Sequence, residues 1–596
     1  MTLATTTPHE FLITGDFNIN LNKPLDPHAN QFNSLLASHN LQQHVSFPTH
    51  IHENTLDLVI TPSQTTINPV VSCSPGSSPS DHFLVMTSLS ITPPAPKPFT
   101  LRSFRRIASI NIERFIDDIE QSSLITDPPA ELDDLVNCYN KTLSTILDNH
   151  APVLTKQIRS IHSNPWFTPA LQKLKEARRS LERTWKLCNT SFNLRCLRKF
   201  TNFYHKSILA AKKAYHSNLI ETNKLDPRKL WQTVNSILHR NSAKPLPQDP
   251  DDPSSISHSF ATFFSDKITQ LQSKIPCTTQ SPHTPDPPTP PASFSTFRPA
   301  TVTEITRLIH SSENKQCDLD PIPTSVLKLC SCVLAPTITN IINLSLATGC
   351  FPSAFKQSTV TPLIKKSHLD SDNFSNYRPI SNLSFISKLT ERVVKDRLHS
   401  HLSGNSLYNI YQSAYTKFHS TETALLALYD HLIRATTRQN ITCLCLLDLS
   451  AAFDTIDHNI LLQRLTSWFG ITGTAHSWLK SYLTSRSFAV LANGFKSTST
   501  PLSCGIPQGS VLGPLLFILY TTPLSSLLSS TTVSHHLYAD DTQLFISFLP
   551  SQYSTSIIQL QSVFTQVSSW MSANLLSINP SKTEFLSSVF LNKLLK

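Results

Sequence analysis

The chain has 596 residues, 10 of them glycine and 42 proline, and a net charge of +10; at roughly 150 residues per unit that length suggests about four units. Its 12 cysteines are too sparse for a disulfide scaffold and none forms the Cys-x-x-Cys pair of a zinc knuckle, which favours a reducing compartment. Between Ala151 and Arg240 stand 18 Lys plus Arg against 4 Asp plus Glu, so one segment carries the whole positive excess and a polyanion such as nucleic acid is its natural partner.

In chain order, the first 92 residues read as short strands and loops, with strands at Phe11–Thr14, Leu56–Ile60 and Phe83–Leu89. Met1–Glu10 lacks the charged-then-apolar pattern of a secretory leader. Pro93–Pro98 is a stiff, extended break. Ile112–Leu147 has helical spacing, and Pro169–Pro227, free of internal Pro and Gly, predicts two or three basic amphipathic helices. Pro245–Pro253 reads as a loop, and Pro276–Ala300, with 8 prolines in 25 residues, as a linker. From Thr301 onward helical patterns alternate with apolar strand-like runs, and eight of the ten glycines fall there. That half is the main folded domain, mixed α and β. The most apolar run, Val511–Tyr520, is too short to cross a bilayer. The expectation is an intracellular protein, neither secreted nor membrane-spanning, with nucleus and cytoplasm undecided.

Carboxylates carry the chemistry. The apolar run Ile441–Leu447 is a buried-strand pattern that ends on Asp448. Spacing alone favours a helix N-cap there, leading into Leu449–Phe453; the alternative is a functional acid at a buried strand's exit, where charge needs compensation. Leu537–Ile546 places Ala539-Asp540-Asp541 between two apolar strand halves, the pattern of a tight hairpin. Adjacent acids repel, and divalent cations held by carboxylates and substrate phosphates remove that repulsion. If the fold joins Asp448 to Asp540, the product is a two-metal phosphoryl-transfer site. Gly505, Gly509 and Gly513, within nine residues, demand a tightly packed loop of unusual backbone.

In this order the motifs Leu447–His458, Gly505–Pro514 and Tyr538–Asp541 resemble those of reverse transcriptases of non-LTR (LINE-type) retrotransposons. Asn376–Ser381 and Gln412–Thr421 resemble the same group's fingers motifs, and Leu576–Glu584 its lysine-bearing motif, over roughly 351–586. The resemblance implies an α+β fold, a right-hand polymerase with fingers and palm, and a thumb and Cys/His knuckle expected beyond Lys596. The family's thumb and knuckle are expected to be missing from this chain. The resemblance implies two Mg2+ ions, or Mn2+, at Asp448, Asp540 and Asp541, with an RNA template, a DNA primer or target and dNTPs as partners. Lys582 would donate a proton or contact phosphate, Phe453 would reject ribonucleotides, Gln508 and Gly509 would support nucleotide and template, and Arg378 would face template or triphosphate. Bland alternatives are a core aromatic for Phe453, a solvated lysine for Lys582 and a surface ion pair for Arg378.

Gly15–Asn18, Thr55–Val59 and Ser80–Phe83 resemble the last three motifs of the apurinic-like endonucleases that precede such polymerases. Asp16, Asn18, Asp57, Asp81 and His82 would carry the metal, phosphate and water-activating parts; singly, each is a turn or cap residue. The family's earlier strands are expected upstream of Met1, so this remnant is expected not to cleave DNA. The resulting division is an endonuclease remnant over 1–92, a basic helical connector over 93–300 and a reverse transcriptase domain over 301–596. In the connector, Trp166, Trp185, Phe192, Phe200, Tyr204 and Tyr215 are expected to be mostly core, with the charges partly gripping nucleic acid. Three functions follow: an RNA-directed DNA polymerase, an inactive relic that only binds nucleic acid and, third, a DNA endonuclease.

Overall fold

A computed structural model describes the chain except residues 1–9, 24, 66–68, 75–79, 91–99, 159–164, 225, 239–245, 248–251, 253, 276–286, 288–291, 315–316, 367 and 588–596. The proline break at 93–98 and most of the proline-rich stretch 276–291 therefore lie outside the described residues. The chain divides into two units, residues 1–102 with 156–163, and 103–155 with 164–596.

In the first unit, β1 (Ile13–Asp16), β2 (Leu41–Gln43) and β3 (Asp57–Pro62) form an antiparallel sheet in the order β1-β3-β2. The sequence reading of strands and loops missed α1 (Pro27–Ser38), whose N-cap Asp26 accepts from His28 N while Pro27 presets the first turn. Phe32 and Leu36 of α1 pack on Leu41, Leu58 and Ile60 as a small core. A ribbon of β4 (Val70–Ser74) and β5 (Leu84–Ser88) leaves Val70, Leu84 and Met86 exposed.

In the second unit the basic segment folds into α2 (Pro169–Leu187), α3 (Ser191–Asn223) and a third helix, Pro227–Ile237. Its aromatics are not mostly core: Tyr204 is buried, Phe192 is exposed, and Trp166, Trp185, Phe200 and Tyr215 are half-buried. Too few apolar residues face one another here to enclose them. After α4 (Ser255–Ser273) come α5 (Ser331–Thr348), β6 (Gln357–Ile364), β7 (Tyr377–Asn382), α6 (Phe385–Gly404), α7 (Thr421–Thr437) and β8 (Ile441–Leu447). Next are α8 (His458–Ser467), α9 (Gly473–Leu483), β9 (Arg486–Ala492), α10 (Gly513–Ser529), β10 (Ser534–Tyr538), β11 (Asp541–Phe548), α11 (Tyr553–Ala573) and β12 (Glu584–Ser587). One sheet runs β10-β11-β8-β12; in the other, β9 lies parallel to β6, which pairs antiparallel with β7. The fold is mixed α and β.

Two expectations about the connector change here. Helices Ile112–Glu120 and Leu132–His150 bury Phe115, Leu135, Tyr139 and Leu143 in the same core as α5, α6, α9 and α10. The stretch read as linker is docked where it is described: Phe297 and Ala300 are buried, Phe294 N donates to Gly470 O at 2.8 Å, and Thr472 N donates to Phe294 O at 3.0 Å. Proline content signalled a linker, but aromatic side chains decide where a segment packs. By length and composition α5 could cross a membrane, yet half of it is buried inside this core.

Candidate active site

The acids converge through strand register. β8 and β11 are antiparallel neighbours with Leu447 opposite Thr542, so Asp448 leaves β8 beside the start of β11. β10 and β11 form a two-residue hairpin in which Tyr538 pairs with Asp541 and Ala539-Asp540 make the turn. Ala539 has φ 55°, the left-handed conformation such tight turns require. Gln412 supports the hairpin, its buried amide oxygen accepting from Ala539 N at 3.0 Å and from Ala414 N at 2.9 Å. Asp448 caps no helix, because residues 449–456 form turns rather than α-helix. The cap is Asp457, which accepts from Ile460 N at 2.9 Å at the start of α8.

An open cleft of about 530 Å3 brings together Arg378, Asp448, Phe453, Gln508, Gly509, Asp540 and Lys582. Lys582 Nζ lies 3.1 Å and 3.3 Å from the two Asp448 oxygens, an ion pair made by a largely exposed lysine. Asn579 Nδ2 donates to Asp448 Oδ2 at 2.9 Å, and Asn579 N to Asp448 O at 2.8 Å. Burial first, then the charge of Asp448, raises the Asp540 carboxyl above its ordinary range, against Lys582 and Arg378. Asp541 is raised by burial and by both neighbouring acids. Among the described residues the oxygens of Asp448, Asp540 and Asp541 do not all lie within 4.8 Å of one another. Without a cation, three neighbouring acids repel; the Lys582 ammonium pairs directly with Asp448 and offsets only part of the upward shift at Asp540 and Asp541.

The glycine loop needs its glycines. Gly505 has φ 80° and Gly509 φ 127°; a Cβ would lie 2.5 Å from Asp454 O at the first and 2.4 Å from Ser381 O at the second. Gln508 O accepts from Ser381 N at 2.7 Å, stitching the loop to β7. The Gln508 amide donates to both oxygens of Asp454 at 2.9 Å, and burial pushes the Asp454 carboxyl up to about 6. Beyond the loop, buried Glu391 accepts from Val511 N at 2.6 Å and Leu512 N at 3.0 Å, anchoring the start of α10. Phe453 serves two surfaces, stacking on Phe517 with centroids 4.7 Å apart while lining the cleft. Arg378 also lines the cleft.

Sequence reasoning did not single out Lys267, Lys365, Tyr415, Asp454 or Asn579. Asp454 and Asn579 sit inside the quoted motifs, but their partners are 54 and 131 residues away. Lys267 lies on a helix that carries no motif.

In the first unit, Asp16 and Asp57 are opposite each other in register across β1 and β3. His82 Nδ1 lies 2.8 Å from Asp57 Oδ2, and His82 Nε2 lies 4.0 Å from Asp16 Oδ2. Asp57, through hydrogen bond and charge, raises the His82 pKa above its ordinary value against some desolvation. Asn18, with φ 53°, donates its backbone N–H to Asp16 Oδ1 at 3.0 Å. Asp81 pairs with His50 at 3.3 Å, a residue the sequence reading missed although Thr49-His50-Ile51-His52 precedes the strand. Asp16, Asp57 and His82, and likewise His50, Asp81 and His82, present ligand atoms within 4.8 Å of one another.

Residues 364–591 match the family described as reverse transcriptase (RNA-dependent DNA polymerase). This segment is a reverse transcriptase domain. Curated relatives of this segment carry the names of RNA-directed DNA polymerases from transposons and mobile elements. The chain is 28% identical over 300 residues to a probable RNA-directed DNA polymerase from transposon BS of Drosophila melanogaster, covering 48% of this chain and 32% of that protein. It is 30% identical over 207 residues to the RNA-directed DNA polymerase from mobile element jockey of Drosophila melanogaster, covering 34% of this chain and 22% of that one. A probable RNA-directed DNA polymerase from transposon X-element of Drosophila melanogaster is 30% identical over 230 residues, covering 38% of this chain and 24% of the relative. The chain thus spans a third or less of the length of these relatives. Apo telomerase from Candida tropicalis superposes with a TM-score of 0.30 at 12% identity over 39% of this chain and 45% of that chain, a likeness that decides nothing.

Proposed function

We propose that the chain is an RNA-directed DNA polymerase of a LINE-type retroelement, extending a DNA primer or target 3′ end on an RNA template with dNTPs. The observation that carries this is the meeting of Asp448 with the Asp540-Asp541 hairpin in a cleft walled by the Gly505–Gly513 loop and Arg378. In this reading the sheet β10-β11-β8-β12 is the palm and β9-β6-β7 belongs to the fingers.

The donor set suits hard divalent cations: two of the three acids have raised pKa values because burial and mutual repulsion penalise their charge. Asp448, Asp540 and Asp541 would hold two Mg2+, or Mn2+, which when bound supply a more acidic primer 3′-hydroxyl and neutralise triphosphate charge. The hairpin orients Asp540 through the hydrogen bond from Ala539 N to Gln412. Gly509 lets backbone approach the nucleotide closely, and the Gln508 amide, fixed by Asp454, faces the same cleft. The Phe453 ring, braced by Phe517, is the bulky wall that would exclude a 2′-hydroxyl. Arg378 and Lys582 would meet phosphate oxygens, with Lys582 leaving Asp448 as a cation arrives. The basic helices α2 and α3 would grip nucleic acid nonspecifically.

Residues of the first unit are the C-terminal part of an endonuclease-like fold in this reading, supported by the meeting of Asp16, Asp57 and His82. Incubation with an RNA template, an annealed DNA primer, four dNTPs and Mg2+ tests the polymerase. Primer lengthening is expected, and ribonucleotides alone should give none. RNA binding without extension would leave the binding-only relic instead.

A further inference from the structure

Helix α4 lies outside the segment that matches the reverse transcriptase family. It is nevertheless built into the site. Phe260, Phe264 and Lys267 fall at i, i+4 and i+7, one face of the helix. Phe260 and Phe264 are buried against Val360, Tyr377 and Phe488, and the Phe260 ring lies 4.3 Å from that of Phe374, centroid to centroid. Each end is tied down: Thr498 N donates to His258 Nε2 at 3.3 Å, and Gln272 Nε2 to Cys504 Sγ at 3.5 Å. Lys267 therefore stands on the packed face, half-buried, and its side chain lines the cleft with Lys365, Arg378, Asp448, Asp454 and Asp540.

A lysine on a solvated face would need no explanation, but this one is held against the core. Among the described residues it has no carboxylate within ion-pair distance. Its charge is felt nearby: burial and then Lys267 lower the Lys365 pKa, and Lys267 works against the burial that raises Asp454. Partial burial of an unpaired ammonium is unfavourable unless an anion joins it. Lys267, Lys365 and Arg378 thus bring three cations from α4, β6 and its following loop, and β7 to one cleft.

We propose that Lys267 binds phosphate in this cleft, supplied by a helix outside the polymerase segment, and takes the oxygens of either the incoming triphosphate or the template-strand backbone. The assignment rests on the polymerase reading for its choice of anion, but not for the anion site itself.

The test uses the full chain with Lys267→Gln and Lys267→Arg. Tripolyphosphate and an RNA–DNA primer-template are the probes, each titrated without nucleotide by equilibrium binding, alongside the KM for dNTPs in extension. Lys267→Gln should weaken one probe about tenfold, with Lys267→Arg close to wild type, as the loss of one charge-assisted hydrogen bond predicts. Loss of tripolyphosphate with a raised KM assigns the nucleotide; loss of primer-template at unchanged KM assigns the template strand. Should Lys267→Gln melt below wild type, Lys267→Met keeps the aliphatic stem packed and repeats the comparison. Wild-type affinity of the Gln and Met variants for both probes overturns the proposal even if the chain extends primers. So does a wild-type chain that binds neither probe. Lys267-dependent anion binding in a chain that never extends a primer keeps the site and rejects the polymerase reading.

Discussion

Asp448 and Asp540 meet at the ends of strands in a sheet packed by α10 and α11, while Asp16 and Asp57 face each other across β1 and β3, and His82 reaches them from just before β5, beside a small core backed by α1. In the first place two of three acids are partly buried beside like charge, and their pKa values rise. In the second the acids sit beside histidines, Asp57 with His82 and Asp81 with His50. One cluster sets like charges together against burial, while in the other two of the acids have histidine partners. Strain of the first kind marks a functional site better than clustering alone.

Several substitutions would break or sharpen that contrast. Asp448→Asn should reduce RNA-templated extension by about 10³-fold and leave the melting of the first unit unchanged, measured by primer extension and calorimetry. Gly509→Ala should come next, because its Cβ would strike Ser381 O at a left-handed φ; strain of about 1–3 kcal/mol should lower melting of the second unit, and extension should fall with it. RNA affinity should drop at least tenfold or so between 50 and 200 mM salt if α2 and α3 make several phosphate contacts; a flat salt response in a filter-binding assay would reject the basic grip.

The smaller effects concern pH. Asp540 titrates above its ordinary value in the folded chain, so its favourable contribution is complete below the ordinary carboxylate pKa and is lost as pH rises through the raised one. Asp540→Asn should therefore stabilise the metal-free protein at neutral pH by about 0.5–2 kcal/mol, read from urea unfolding without divalent ions, and should abolish the stabilisation that Mg2+ gives wild type. His82 is also raised, so its pairing with Asp57 stabilises below its ordinary pKa and fades as pH rises through the raised value. His82→Ala should cost about 0.2–1 kcal/mol in the acidic window and little at high pH, measured as the melting of the first unit against pH.

Much of the geometry of the carboxylate cleft was legible because its signals are local. An apolar strand ending on Asp448, a hairpin centred on Ala539-Asp540 and three close glycines each declare their geometry within about ten residues. The helix-cap reading of Asp448 failed because the next eight residues turn instead of coiling, and Asp457 does the capping. Partners across long separations were not legible: Asp454 with Gln508, Asn579 with Asp448, and Glu391 with the start of α10. Composition misled at 292–300, where Phe294 and Phe297 dock a stretch read as linker. It misled again in α2 and α3, where interleaved aromatics suggested a core that the helices only partly enclose. Lys267 becomes visible only once Phe260 and Phe264 fix which face of α4 points inward.

The most direct test of the central claim is primer extension on an RNA template with Mg2+ and dNTPs, comparing wild type with Asp540→Asn/Asp541→Asn at equal RNA occupancy. The hairpin assigned to metal predicts lengthened primers from wild type and none from the double variant. Equal extension by both would contradict it, as would RNA bound by both and extended by neither.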